Sequence, residues 1–195
     1  MIAPDLVMTN HHVATDDGVP AVYLEVETGP DYSAPVGATV LAYSSRYDVA
    51  ILKTSRPLQV EPLKFAQSAP GIGTDINAFG FPTGAAFGKG LTTSKGNIMR
   101  LPTMDTGNIN SIFGDAAVAS SLWHSCQVNA GSSGGPLLSN SGIVVGVEWG
   151  AINPWRYRRT NWYGRFFATA TRFFSTGVSR LLKGTNLRRW PGNQR

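Results

Sequence analysis

The sequence predicts an all-β protein. Three observations carry that expectation: 22 Gly and 12 Pro among 195 residues, a series of short apolar runs bounded by turn residues, and no sustained 3.6-residue periodicity before about position 160. In chain order the runs are Leu6–Thr9, Ala21–Glu27, Ala38–Tyr43, Val49–Lys53, Ile76–Phe79, Leu91–Met99, Gly135–Leu138 and Gly142–Val147. Asp-Asp-Gly (16–18), Thr-Gly-Pro (28–30), Pro-Gly-Ile-Gly (70–73) and Phe-Pro-Thr-Gly (81–84) supply turn chemistry between them. Strands spaced this regularly suit a sandwich or barrel rather than a parallel sheet interleaved with helices.

Composition narrows the class. Hydrophobic residues make up 42% of the chain, enough for a sizeable core. The single cysteine, Cys126, excludes an intramolecular disulfide, so packing alone must hold the fold. No apolar run approaches the roughly 18 residues of a membrane-spanning helix. The first residues, Met1-Ile-Ala-Pro-Asp5, do not read as a leader of basic and apolar regions, which points to the cytoplasm or an organelle interior.

The net charge of +5 is unevenly spread. Residues 1–154 hold all 12 Asp and Glu, whereas residues 155–195 hold no acid and most of the 17 Lys and Arg. Within that basic segment Phe173, Phe174, Val178, Leu181 and Leu182 recur at helical spacing, so a terminal amphipathic helix is expected over 171–183. Three roles fit the segment 155–195: a helix packed on the body through Phe173, Leu181 and Leu182, an anionic membrane contact, or a nucleic-acid contact. Arg interleaved with Phe and Trp serves either of the last two.

The most informative segment is Asn129-Ala-Gly-Ser-Ser133-Gly-Gly-Pro-Leu137. It sets a serine in a tight turn between glycines and runs straight into an apolar strand. Acyl transfer needs a protruding hydroxyl and backbone N–H groups converging on the oxygen that becomes negative. Gly131 and Ser133 are the natural donors, because a side chain at 131 would crowd the approach. A Gly/Ser-rich turn alone would resemble a linker, but the Pro-Leu-Leu and Ile-Val-Val-Gly-Val that follow embed it in a core.

A serine needs a base to take its proton, and the base needs a carboxylate to fix its tautomer. His12 sits where the apolar run Leu6–Thr9 enters a polar turn; His11 should point elsewhere, and His124 lies too near Ser133 in sequence to be an obvious partner. Asp48 stands immediately before the apolar Val-Ala-Ile-Leu52. Each alone would be read as structural. Together His12, Asp48 and Ser133 form a coherent set.

Five segments in order then carry a family resemblance. Thr9-Asn-His-His12-Val, Tyr47-Asp48-Val-Ala-Ile-Leu, Gly73–Gly84, Thr92-Thr-Ser-Lys-Gly96-Asn-Ile and Val128–Pro136 resemble the corresponding elements of trypsin-like serine proteases of the HtrA/Deg type. The resemblance selects His12 over His11. It implies a chymotrypsin-like all-β fold of two antiparallel six-stranded barrels, over residues 1–66 and 67–170, followed by a C-terminal helix and basic tail over 171–195. His12 and Asp48 would lie on the first barrel and Ser133 on the second, with the site in the cleft between them. Gly146-Val-Glu-Trp149-Gly150 resembles the strand that pairs with extended substrate. No metal or other cofactor is implied.

The departures from the family pattern set further expectations. Only eleven residues precede His12, so the first barrel should be incomplete. Ser132 stands where secreted trypsins carry an aspartate, and no PDZ-like domain follows. The pocket position six before the nucleophile is Gln127, which offers no buried carboxylate to an Arg or Lys. With Val128, Ala130 and Val147 nearby, cleavage after small to medium apolar residues is expected; Glu148, Trp149 and Gly150 complete the substrate-binding set. Glu148 is unexpected beside a catalytic carboxylate, and either raises the pKa of Asp48 or faces solvent. The chain reads as a serine endopeptidase acting on polypeptides, or alternatively as a silent protease-like domain that binds a peptide or a partner.

Overall fold

The computed structural model describes residues 1–28, 34–45, 47–68, 70–82, 90–102, 121–151 and 166–170. In chain order they form β1 (Leu6–Thr9), α1 (His11–Ala14), β2 (Thr15–Asp16), β3 (Val19–Pro20), β4 (Leu24–Val26), β5 (Val36–Ser44), β6 (Val49–Thr54), β7 (Asp75–Gly80), β8 (Thr92–Arg100), β9 (Leu122–His124), β10 (Pro136–Ser139), β11 (Val144–Ala151) and β12 (Phe166–Ala170).

The first half is an antiparallel four-stranded sheet ordered β1-β6-β5-β4, with β2 and β3 as a separate hairpin. Asp17 and Gly18 turn that hairpin at φ 46° and 80°, the left-handed pair that a two-residue hairpin turn demands. Period-2 burial accounts for β1: Leu6 and Met8 are buried while Val7 and Thr9 are half-buried. In contrast, β6 is buried at Val49, Ala50, Ile51 and Leu52 together, because it is covered on both faces. Ala50 and Leu52 pack with Ala14 and Ala38, whereas Val49 and Ile51 join Ile2, Leu6, Met8, Tyr47 and Val147.

The second half closes into a six-stranded barrel, β10-β11-β12-β9-β8-β7. Closure removes exposed sheet edges. Its interior is filled by Ile76, Ala78, Ile98, Leu122, Cys126, Leu137, Val145 and Ala168. Val147, on the barrel strand β11, packs in the cluster of the first sheet and so forms the seam between the halves. The connecting segment is tied to β11 as well, through Ala66 N–H to Val144 O at 2.8 Å and Val144 N–H to Lys64 O at 2.8 Å.

The all-β expectation therefore holds, with one closed barrel and, among the described residues, an open four-stranded sheet in place of a first barrel. The expected C-terminal helix and most of the basic segment 155–195 lie outside the described residues. Part of that segment, Phe166–Ala170, is a barrel strand paired with β11 and β9, within the range expected for the second barrel. No helix among the described residues is long and apolar enough to cross a membrane.

Candidate active site

His12 and Asp48 come together at the end of the open sheet where β1 and β6 pair, Thr9 standing opposite Ala50. The chain leaves β1 through Asn10, makes the single turn α1, and presents His12 from it. The Asp48 carboxylate meets this turn twice: Oδ1 accepts the backbone N–H of His12 at 2.9 Å, and Oδ2 lies 2.7 Å from His12 Nδ1. A carboxylate only accepts, so Nδ1 carries the proton and Nε2 is left as the basic nitrogen. Asp48 is buried, while the His12 side chain keeps 36% of its surface exposed. That asymmetry suits an orienting acid and a working base.

Asp48 adopts φ 50°, a left-handed conformation unfavourable for a residue with a side chain. Buried Asn10 holds it there by donating from Nδ2 to Asp48 O at 2.8 Å. Asn10 O also accepts the Ala14 N–H at 3.2 Å, closing α1. Asn10 thus braces both His12 and Asp48. It was not singled out as a site residue from sequence; the signal was its place two residues before His12.

His11 is removed from the site. It is buried, stacks on Tyr43 with ring centroids 4.9 Å apart, and its pKa is lowered chiefly by burial, with help from His12 and against the pull of Asp48.

Ser133 arrives on the loop before β10. Gly131 and Gly134 take φ 94° and 85°, conformations open to glycine. A Cβ at Gly134 would collide with Thr9 Oγ1 and lie 3.3 Å from Asn10 N, so the residue after Ser133 is pressed against the segment leading to His12. Ser132 packs against Gly80 on the other side, where an added Cβ would sit 2.7 Å from its hydroxyl. The loop closes on itself through Ser132 N–H to Asn129 O and Gly135 N–H to Ser132 O, both at 3.0 Å. Ser133 is half-buried and Gly131 exposed. Among the described residues no hydrogen bond joins Ser133 to His12, a contact that often tightens only when substrate binds.

The substrate-binding candidates divide. Gln127 and Ala130 are exposed and Val128 and Gly150 half-buried along the loop and strand edge. Val147 is corrected: it is 3% exposed and packed with Met8, Tyr47, Val49 and Ile51 in the seam, not open to a pocket. Trp149 is buried as well. The solvent-facing alternative for Glu148 is overturned too. It is 1% exposed, and its carboxylate lies 3.1 Å from Nε2 of the fully buried His124. Burial raises the Glu148 pKa, against the hydrogen bond and charge of His124. Burial, then the Glu148 charge, pushes the neighbouring Cys126 thiol up to about 11. No group of three or more His, Cys, Asp or Glu among the described residues could hold a metal ion.

Residues 1–147 match the model of the trypsin-like peptidase domain. The serine protease Rv3671c of Mycobacterium tuberculosis is 34% identical over 156 residues, 77% of this chain and 35% of that protein. The Do-like serine protease HtrA of Lactococcus lactis is 30% identical over 169 residues, 83% of this chain and 38% of that one. The chain thus spans little more than a third of these relatives. Among solved structures, the active form of Rv3671c protease from M. tuberculosis superposes with TM-score 0.70 at 25% identity, covering 98% of this chain and 75% of that one. Its inactive form gives 0.66 at 27% identity, covering 92% and 81%. The chain belongs to the trypsin-like peptidase domain family, with HtrA-type serine proteases among its relatives.

Proposed function

We propose that the protein is a serine endopeptidase that cleaves polypeptides through an acyl-enzyme on Ser133. The observation that carries this reading is the two-point grip of buried Asp48 on His12, at 2.9 and 2.7 Å, with the His12 side chain 36% exposed. In the reaction His12 Nε2 takes the Ser133 proton as Oγ attacks the scissile carbonyl, and Asp48 stabilises the imidazolium. The N–H groups of Gly131 and Ser133 receive the oxyanion. The imidazolium then protonates the leaving amine, and a water activated by His12 hydrolyses the ester.

An extended peptide fits the edge of β11. On its β10 side the ladder ends at the pair Pro136–Val147, before Trp149 and Gly150. A substrate strand would add there by backbone pairing. Gln127, Val128 and Ala130 surround the cleaved residue without a carboxylate, which favours small to medium apolar side chains. The test is hydrolysis of a mixed peptide library, with product ends sequenced. Cleavage after Ala, Val or Leu that disappears in Ser133→Ala is the expected result. Dominant cleavage after Arg or Lys contradicts the specificity, and cleavage that survives Ser133→Ala contradicts the mechanism.

A further inference from the structure

A second histidine–carboxylate pair lies inside the barrel, and the proposed chemistry leaves it unused. His124 on β9 and Glu148 on β11 are 0% and 1% exposed, joined at 3.1 Å. The two strands are not neighbours: β12 lies between them. Burying such a pair is costly, and apolar residues of similar size often serve a core equally well. What an apolar pair would lose is direction.

The backbone of Glu148 is where direction matters. Its carbonyl accepts the Gly134 N–H at 2.9 Å, and its own N–H donates to Gly135 O at 2.9 Å. These two bonds hold the two residues that directly follow Ser133. Glu148 also sits at an irregularity, since pairing of β11 with β12 shifts register between Glu148 and Gly150. Pairing of β10 with β11 shifts between Leu137 and Leu138. Register is least fixed by the ladder at such points, so the side chain reaching over β12 to His124 supplies the missing constraint. We propose that Glu148, anchored by its hydrogen bond to His124, is a positioning residue that sets the nucleophile loop through the backbone of Gly134 and Gly135. The consequence for rate rests on the reading of Ser133 as nucleophile; the consequence for the loop does not.

Two readouts on the full chain separate these. One is amide hydrogen exchange of the peptide spanning 129–137, and the other is the rate of Ser133 labelling by a fluorophosphonate. Glu148→Ala should speed exchange in that peptide and slow labelling, each by about 10-fold or more, with β7 and β8 protected as before. Glu148→Gln, which keeps an acceptor for His124, should return both to within about threefold of the parent. Should Glu148→Ala unfold outright, His124→Phe, which keeps the volume and removes the partner, should show the same local effects. Loop exchange and labelling unchanged in the folded variant would overturn the proposal, as would Glu148→Gln behaving like Glu148→Ala. A parent protein that never labels, while loop exchange responds as expected, would instead overturn the nucleophile assignment and leave the positioning role standing.

Discussion

The two histidine–carboxylate pairs of this molecule have similar geometry and opposite surroundings. His12 Nδ1 meets Asp48 Oδ2 at 2.7 Å with the histidine one-third exposed and the acid buried; His124 Nε2 meets Glu148 at 3.1 Å with both sealed. In the first, the turn α1 gives the imidazole a place at the surface. In the second, no reactant can reach the ring, and the pair can act only on the strands that carry it. What separates a base from a strut is access, not the presence of a partner.

The largest break in that comparison comes from exchanging carboxylate for amide in each pair. Asp48→Asn should lower the rate of peptide hydrolysis by about four orders of magnitude, because an amide does not hold His12 in the tautomer that leaves Nε2 basic. Glu148→Gln should leave that rate nearly unchanged. A comparable collapse in both would erase the distinction between the pairs, and kcat from steady-state assays decides it.

Asn10→Ala sharpens the account of how the exposed pair is held. It strands the buried carbonyl of Asp48 and frees a left-handed residue, so thermal or denaturant unfolding should show a loss of about 1–3 kcal/mol. Fluorophosphonate labelling should slow by about 10-fold or more as Asp48 drifts relative to His12. Loss of stability without slower labelling would make Asn10 a fold residue alone.

The smallest effect concerns His11, the buried histidine stacked on Tyr43. Its pKa is depressed below the ordinary 6.5, burial being the main cause. The unfolded chain therefore binds a proton more readily than the folded one, so this contribution to stability is complete above 6.5 and is lost as pH falls through the window below it. His11→Phe keeps an aromatic ring against Tyr43 and should shrink the drop in melting temperature between about pH 7.5 and 5.5 by a few degrees. An unchanged drop would place the acid sensitivity elsewhere.

Much of this was legible in the sequence. Strand β1 falls on Leu6–Thr9 as its apolar pattern expects, and β5 through β8 differ from their predicted runs by a residue or two. Such strands are half or wholly buried, so their chemistry marks them. The short β9 and the hairpin of β2 and β3 were missed because two or three residues carry no period, and β12 because its short run is set among basic residues without turn signals to bound it. The meeting of His12 with Asp48 was expected because proton transfer limits residue types and order. The bracing role of Asn10 was not, and Glu148 was read as a substrate contact rather than as a partner of His124, because the bonds they make become visible only when distant strands meet. The burial of Val147 had the same origin: its surroundings come from β1 and β6, far earlier in the chain.

The most direct test of the central claim is the site of fluorophosphonate labelling and its dependence on His12. A single adduct should form on Ser133, abolished by Ser133→Ala and reduced by several orders of magnitude by His12→Ala. An adduct on another residue, or labelling of Ser133 at an unchanged rate in His12→Ala, would contradict it.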